Sequence, residues 1–287
     1  MSPIDPIILR AGMLEAHVHP ACGARIGRFF TRLDAVREFD FLMPLAESPF
    51  DQNAWPKAGC FPMLPFADKL AGNQLHWKGR TVEVAEPGGP PWFHGWGLRS
   101  AWDLVARDGQ SCELRMRFDG STRWPWPFAA RLQLALDPSG LDVLLTLSNL
   151  AHEPMPAGIG IHPYFRWPAG TVGRVQGKRV WIADMEHPGA FLPYDSAAAE
   201  EWLTGKMDDP ASPPNLFFED WNGNAHIDYP GMRLTLSSTT PGFLTTFAPK
   251  NGAGYVCLEP GTCLPGHFGD GIAAGAVQQV HLRLAVS

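Results

Sequence analysis

Three stretches carry the residue types that acid–base chemistry needs. In Gly158-Ile-Gly-Ile-His-Pro-Tyr-Phe165 an apolar run ends on His162, and Pro163 follows at once. Tyr255-Val-Cys-Leu-Glu-Pro-Gly-Thr262 repeats that grammar, with Val256, Cys257 and Leu258 leading to Glu259 and Pro260. Proline has no N–H to give a ladder, so both titratable residues are expected at strand ends. A carboxylate beside buried apolar groups has its pKa raised and can act as a general base near neutrality. The plainer alternatives are a solvated strand-end glutamate and a histidine that satisfies a backbone carbonyl.

The third stretch, Pro90-Pro-Trp-Phe-His-Gly-Trp-Gly-Leu-Arg99, sets His94 and Gly95 among Trp92, Phe93 and Trp96. A sugar packs its C–H face on an aromatic ring while its hydroxyls demand polar partners, so Trp96 is a candidate platform. With 11 Trp in the chain, most must lie in the core, and Trp96 could be one of those. Several other chemistries find no support. There is no Gly-x-Ser-x-Gly elbow and no phosphate-binding glycine fingerprint. His94, His162 and Glu259 are the residue types of a His₂Glu metal site, but they lie far apart with no local clip. No metal and no other cofactor is expected.

The elements that must position these residues read as strands. Gly 30 and Pro 28 in 287 residues make turn formers about a fifth of the chain, which suits many short strands. Cys112-Glu-Leu-Arg-Met-Arg-Phe118 alternates cleanly, with Leu114, Met116 and Phe118 on one face. Phe128–Leu136 and Leu141–Leu150 flank Asp137-Pro-Ser-Gly140, a turn sequence that predicts a hairpin. Ile8–Val18, Ala24–Leu33, Thr81–Glu86, Trp102–Arg107, Val172–Ile182, Ala225–Tyr229, Met232–Ser238, Phe243–Phe247 and Val277–Val286 extend the series to more than a dozen strands, and only Ser196–Leu203 looks helical. The expectation is an all-β, single-domain antiparallel sandwich. Two stretches, roughly 45–80 and 183–222, do not read as strands; the first, dense in aromatics and prolines, is expected to form an ordered rim over a pocket.

Composition excludes other classes. A net charge of −6 offers no footprint for nucleic acid or an anionic membrane surface. No apolar run approaches the roughly 18 residues of a membrane span. Five cysteines without a CxxC pair read as reduced thiols. The N-terminus shows no basic region followed by an apolar run, so a cytoplasmic location is the expectation.

Together the three motifs resemble the aldose 1-epimerase (galactose mutarotase-like) family. The matching residues are His94-Gly95, Gly160-Ile-His-Pro-Tyr-Phe165 and Cys257-Leu-Glu-Pro-Gly-Thr262. Phe61-Pro-Met-Leu-Pro-Phe-Ala-Asp-Lys-Leu70 with Gly72, Trp77-Lys-Gly79, and Pro20 with Gly23-Ala-Arg-Ile26 support the match. The resemblance runs over nearly the whole chain in the right order. It implies a β-supersandwich that interconverts the α and β anomers of an aldose. By that resemblance Glu259 would take the proton of the C1 hydroxyl, His162 would protonate the ring oxygen, and His94 would hydrogen-bond the sugar. Such chemistry needs a base and an acid on opposite sides of one C–O bond.

Two departures bear on specificity. Asp68-Lys69 stands where the family often has Asn-Arg, and Asn215 aligns with a family aspartate that holds sugar hydroxyls. Lys69 and Asn215 are therefore expected to bind substrate with an altered hydroxyl pattern. The expected partner is a small sugar, with the chain a monomer or weak homodimer. A catalytically silent sugar-binding protein and a polysaccharide-active hydrolase or lyase are the alternatives on the same scaffold. The lack of a second obvious carboxylate partner for Glu259 argues against a glycosidase.

Overall fold

Period-two patterning dictates strands through most of the chain. The computed structural model describes residues 6–46, 51, 55–204, 215–240, 242–250 and 253–287. In chain order its strands are β1 (Ile7–Ala11), β2 (Leu14–His19), β3 (Arg25–Arg32), β4 (Glu38–Asp40), β5 (Cys60–Met63), β6 (Gln74–Trp77) and β7 (Arg80–Glu83). Then come β8 (Asp103–Arg107), β9 (Ser111–Phe118), β10 (Phe128–Asp137), β11 (Gly140–Asn149), β12 (Gly160–Arg166) and β13 (Val172–Ala183). The last are β14 (Phe191–Tyr194), helix α1 (Ser196–Thr204), β15 (Asn215–Tyr229), β16 (Met232–Ser237), β17 (Phe243–Phe247), β18 (Tyr255–Gly261) and β19 (Val277–Val286). Among the described residues these named strands pair antiparallel throughout, seventeen in one sheet and β6 with β7 in a separate hairpin.

β5, β12, β18, β17 and β15 lie side by side in that order. β15 then changes partner. Its start, Asn215–Glu219, pairs with β17, and its end, Asn224–Tyr229, pairs with β16. From β16 the ladder continues through β19, β11 and β10 to β9. Ile161, Phe165, Val256 and Leu258 from the first run meet Leu132, Leu145, Val280 and Leu282 from the second in one buried cluster. Each such side chain contributes about 1.5–3 kcal/mol through the area it removes from water.

The β10–β11 hairpin forms as its turn sequence predicts, with Asp137 opposite Gly140. Other expectations are corrected. Ile8–Val18 is two strands, because Gly12 at φ 58° turns the chain between β1 and β2. The stretches 45–80 and 183–222 hold β5, β6, β14 and the first half of β15. β15 begins at Asn215 rather than Ala225; a register shift against Val175–Gly177 and Asp220 at φ 54° break its alternation.

The strand-end reading of both prolines is also overturned. β12 runs through Pro163 and β18 through Pro260. The β12–β18 pairing holds at Gly160↔Gly261 and resumes at Tyr164↔Cys257. Between those points Pro163 faces Leu258 and Pro260 faces Ile161, so the missing N–H groups fall in one gap of one ladder. The strands continue because neighbours β5 and β17 hold their outer edges.

Candidate active site

The register of β12 against β18 sets His162 directly opposite Glu259. One face of this sheet feeds the main core through Ile161, Phe165, Val256 and Leu258. The other face carries Phe61, Tyr164, Cys257 and, beside them, His162 and Glu259. His162 Nε2 lies 3.4 Å from Glu259 Oε1, and both residues are buried. The imidazole stacks on Tyr164 at 4.6 Å and 13°, and tilts over Phe61 at 4.7 Å. Behind Phe61 the buried Arg25 guanidinium sits 4.5 Å from the ring centre.

His94 comes from a loop. It and Asp68 both adopt positive φ, 60° and 54°, and clasp each other. The His94 N–H donates to Asp68 O at 2.7 Å, and the Asp68 N–H donates to His94 Nδ1 at 3.0 Å. Nδ1 is therefore an acceptor, which leaves Nε2 as the N–H of the neutral ring, with no partner among the described residues. Gly95 follows at φ 63°, where a Cβ would stand 2.3 Å from Leu64 O; no other residue fits that approach.

These residues converge. His94 and His162 ring centres are 4.9 Å apart. A cavity of about 270 Å³ is lined by His94, His162 and Glu259 together with Lys69 and Asn215, and by Trp55, Lys57, Asp68, Phe93, Tyr164, Thr245 and Phe247. That volume suits one monosaccharide. Trp96 is elsewhere: half-buried, its ring packs on Phe66, Phe118 and Trp124 at 6.0, 5.4 and 5.7 Å, against the edge of the core. The left-handed turn at His94–Gly95 sends the next residue the other way, and the Trp96 N–H bonds Leu64 O. The aromatic wall is instead Trp55, 4.9 Å from Phe93, 4.8 Å from His94 and 6.2 Å from His162.

Burial decides the protonation states. It pushes Glu259 well above its usual 4.5; Asp68 adds to the rise and the Lys57 charge opposes it. Burial, then His94, Lys57 and Arg25, hold His162 well below 6.5. His94 is driven down in the same way. Lys57 itself is pushed down to about 8, first by desolvation. Asp68 is raised by burial and lines the same cavity, so Glu259 does have a second carboxyl for company, against the sequence expectation. His162, Cys257 and Glu259 also bring a nitrogen, a sulfur and an oxygen within 4.8 Å of one another, donor types that zinc accepts.

Sequence reasoning missed Trp55 and Lys57. They lie outside every local motif, in a segment whose only signal was its density of aromatics and prolines. Among the described residues no helix is long and apolar enough to cross a membrane.

A family model described as aldose 1-epimerase matches residues 34–282. The uncharacterized protein YphB of Escherichia coli (strain K12) is 27% identical over 229 residues, 71% of this chain and 72% of that one. A crystal structure of an aldose 1-epimerase candidate from Escherichia coli K12 gives a TM-score of 0.78 at 24% identity, covering 98% of each chain. A galactose mutarotase-like protein from Clostridium acetobutylicum gives 0.78 at 16% identity, covering 98% of this chain and 94% of its own. These structural likenesses establish the fold.

Proposed function

The chain belongs to the aldose 1-epimerase family, and from that premise we propose that it interconverts the α and β anomers of a free aldopyranose. One observation carries the reading: a buried histidine and a buried glutamate 3.4 Å apart at a cavity of monosaccharide size. The hydroxyl oxygen O1 and the ring oxygen O5 are both bonded to C1. An acid and a base serving those two atoms must therefore stand side by side, as cross-strand neighbours do.

In the forward step Glu259 as carboxylate takes the O1 proton while the C1–O5 bond breaks. His162 as imidazolium gives its proton to O5, leaving an aldehyde at C1 and a hydroxyl on C5. Rotation about C1–C2 turns the other aldehyde face to the C5 hydroxyl, and closure runs the same transfers backwards. The pair holds one proton throughout the resting state, either as two neutral groups or as an ion pair, and these differ by a transfer across the 3.4 Å gap. Burial disfavours the ion pair, so consuming both charges as the ring opens releases that desolvation cost in the direction of reaction. Lys57 stabilises the carboxylate form. His94, held as a neutral Nε2–H donor, steadies the ring oxygen, and Lys69 and Asn215 bind the sugar's substituents.

Polarimetry of freshly dissolved aldoses, screened across a panel, tests this. Acceleration of at least one sugar's approach to anomeric equilibrium is expected; none across the panel would reject it. Asp68 in the same cavity keeps glycoside hydrolysis as a second reading. Chromogenic aryl glycosides separate the two, since an anomer-interconverting site needs a free O1–H and should leave them intact.

A further inference from the structure

The charge of the cavity does not match a neutral sugar. Burial holds both histidines well down and pushes Glu259 well up, while Asp68 is raised by burial with Lys69 opposing the rise. Two ammonium groups, Lys57 and Lys69, line the cavity in a chain of net charge −6. Both lie against one aromatic wall. The Lys57 ammonium sits over Trp55 and the Lys69 ammonium over Phe93 at 5.4 Å, and those two rings are 4.9 Å apart. The Trp55 end of the wall touches His94 and reaches within 6.2 Å of His162.

The ring-opening reading orients the sugar against that wall. His162 addresses O5, and O5 is bonded to C5, so whatever C5 bears must lie beside His162. O1 must carry a free proton, which rules out an anionic group there. The geometry points to an aldohexuronic acid as the natural sugar, with the carboxylate on C5 held by Lys57 and Lys69 at the Trp55–Phe93 wall. A carboxylate bonded directly to C5 stays close to the wall, whereas a phosphate on O6 stands two atoms further out. Each ammonium is a compact charge with three donors, able to follow a small carboxylate in several poses.

This inference takes its orientation from the ring-opening reading, so its test separates the two. Binding is measured on Glu259→Gln, where turnover does not obscure it, by quenching of tryptophan fluorescence. D-glucuronate and D-galacturonate are compared with D-glucose, D-galactose and D-glucose 6-phosphate. At least one uronate is expected to bind ten- to a hundredfold tighter than its neutral counterpart and than the phosphate, the scale of a charge-assisted contact. Lys57→Met should narrow the gap by about tenfold, and adding Lys69→Met should close it. The wild type, followed by anomer exchange on the same panel, should show the same ranking in kcat/KM. Equal binding of uronates and neutral sugars overturns the inference, as does a preference for the phosphate or a gap that survives both lysine changes. Turnover of neutral sugars without any uronate preference would sink the anion site and leave the ring-opening reading intact. A uronate preference in binding with no turnover of any sugar would do the reverse.

Discussion

Glu15 and Glu259 are both almost fully buried carboxyls, 4% and 6% exposed, and they behave in opposite ways. Glu15 on β2 accepts from Arg10 Nε at 3.0 Å and Arg32 Nη2 at 2.8 Å, and contacts His17 Nε2 at 2.7 Å. Burial raises its pKa, but these three partners outweigh burial and hold it at about 2. Among the described residues Glu259 has only His162, at 3.4 Å, and burial drives it well above 4.5. Burial alone therefore does not make a carboxyl reactive; burial with its donors withheld does. One glutamate fastens three strands of the sheet, and the other is held ready to exchange a proton.

The largest effect that would break this contrast is on turnover. Glu259→Gln keeps the shape but cannot take a proton, and His162→Asn cannot give one. Each should slow catalysed anomerisation by roughly 10²–10⁴-fold. Because the two act on one shared proton, the double variant should be little slower than the worse single variant, which kinetics of all three would check. Multiplying penalties would mean the residues act independently.

Stability moves the other way. Glu15→Gln should leave anomerisation at the wild-type rate and cost about 1–3 kcal/mol in urea unfolding, since donors from Arg10 and Arg32 lose their charged acceptor. A loss of activity at full stability would reverse the roles of the two glutamates.

The smallest effect is a pair of opposite pH slopes. The folded pKa of Glu15 is depressed, so its contribution is complete above the unfolded value of 4.5 and drains away as pH falls toward 2. The folded pKa of Glu259 is raised, so above 4.5 the unfolded chain releases a proton that the folded one retains. Its ionisation then costs stability increasingly as pH rises. Against wild type, Glu15→Gln should lose most of its disadvantage as the pH is lowered from 5 toward 2.5. Glu259→Gln should gain on wild type between pH 5 and 7. Unfolding midpoints across that range measure both, and parallel curves would erase the distinction.

Much of the site was legible because local grammar survives folding. An apolar run ending on His162 or Glu259 places each on a buried strand, and Gly95 marks the tight approach that aims His94. The prolines misled because a missing N–H is costly only where the ladder needs it, and Pro163 and Pro260 share one unbonded gap. Trp96 misled because its neighbours in sequence face the cavity while a left-handed turn sends it against the edge of the core. Trp55 and Lys57 were legible only as part of a segment expected to rim a pocket, not as individual residues. Their place depends on how a loop lies across β12 and β18, a long-range fact with no short-range signature.

Burial together with withheld hydrogen bonds makes Glu259 a base for ring opening. Two-dimensional proton exchange NMR on an equilibrated aldose or hexuronate, with the H1 signals of both anomers resolved, measures this at equilibrium. Wild type and Glu15→Gln should produce strong α–β exchange cross-peaks, and Glu259→Gln should produce none above the uncatalysed level while still broadening the sugar's lines by binding. Cross-peaks of wild-type intensity with Glu259→Gln would contradict the account.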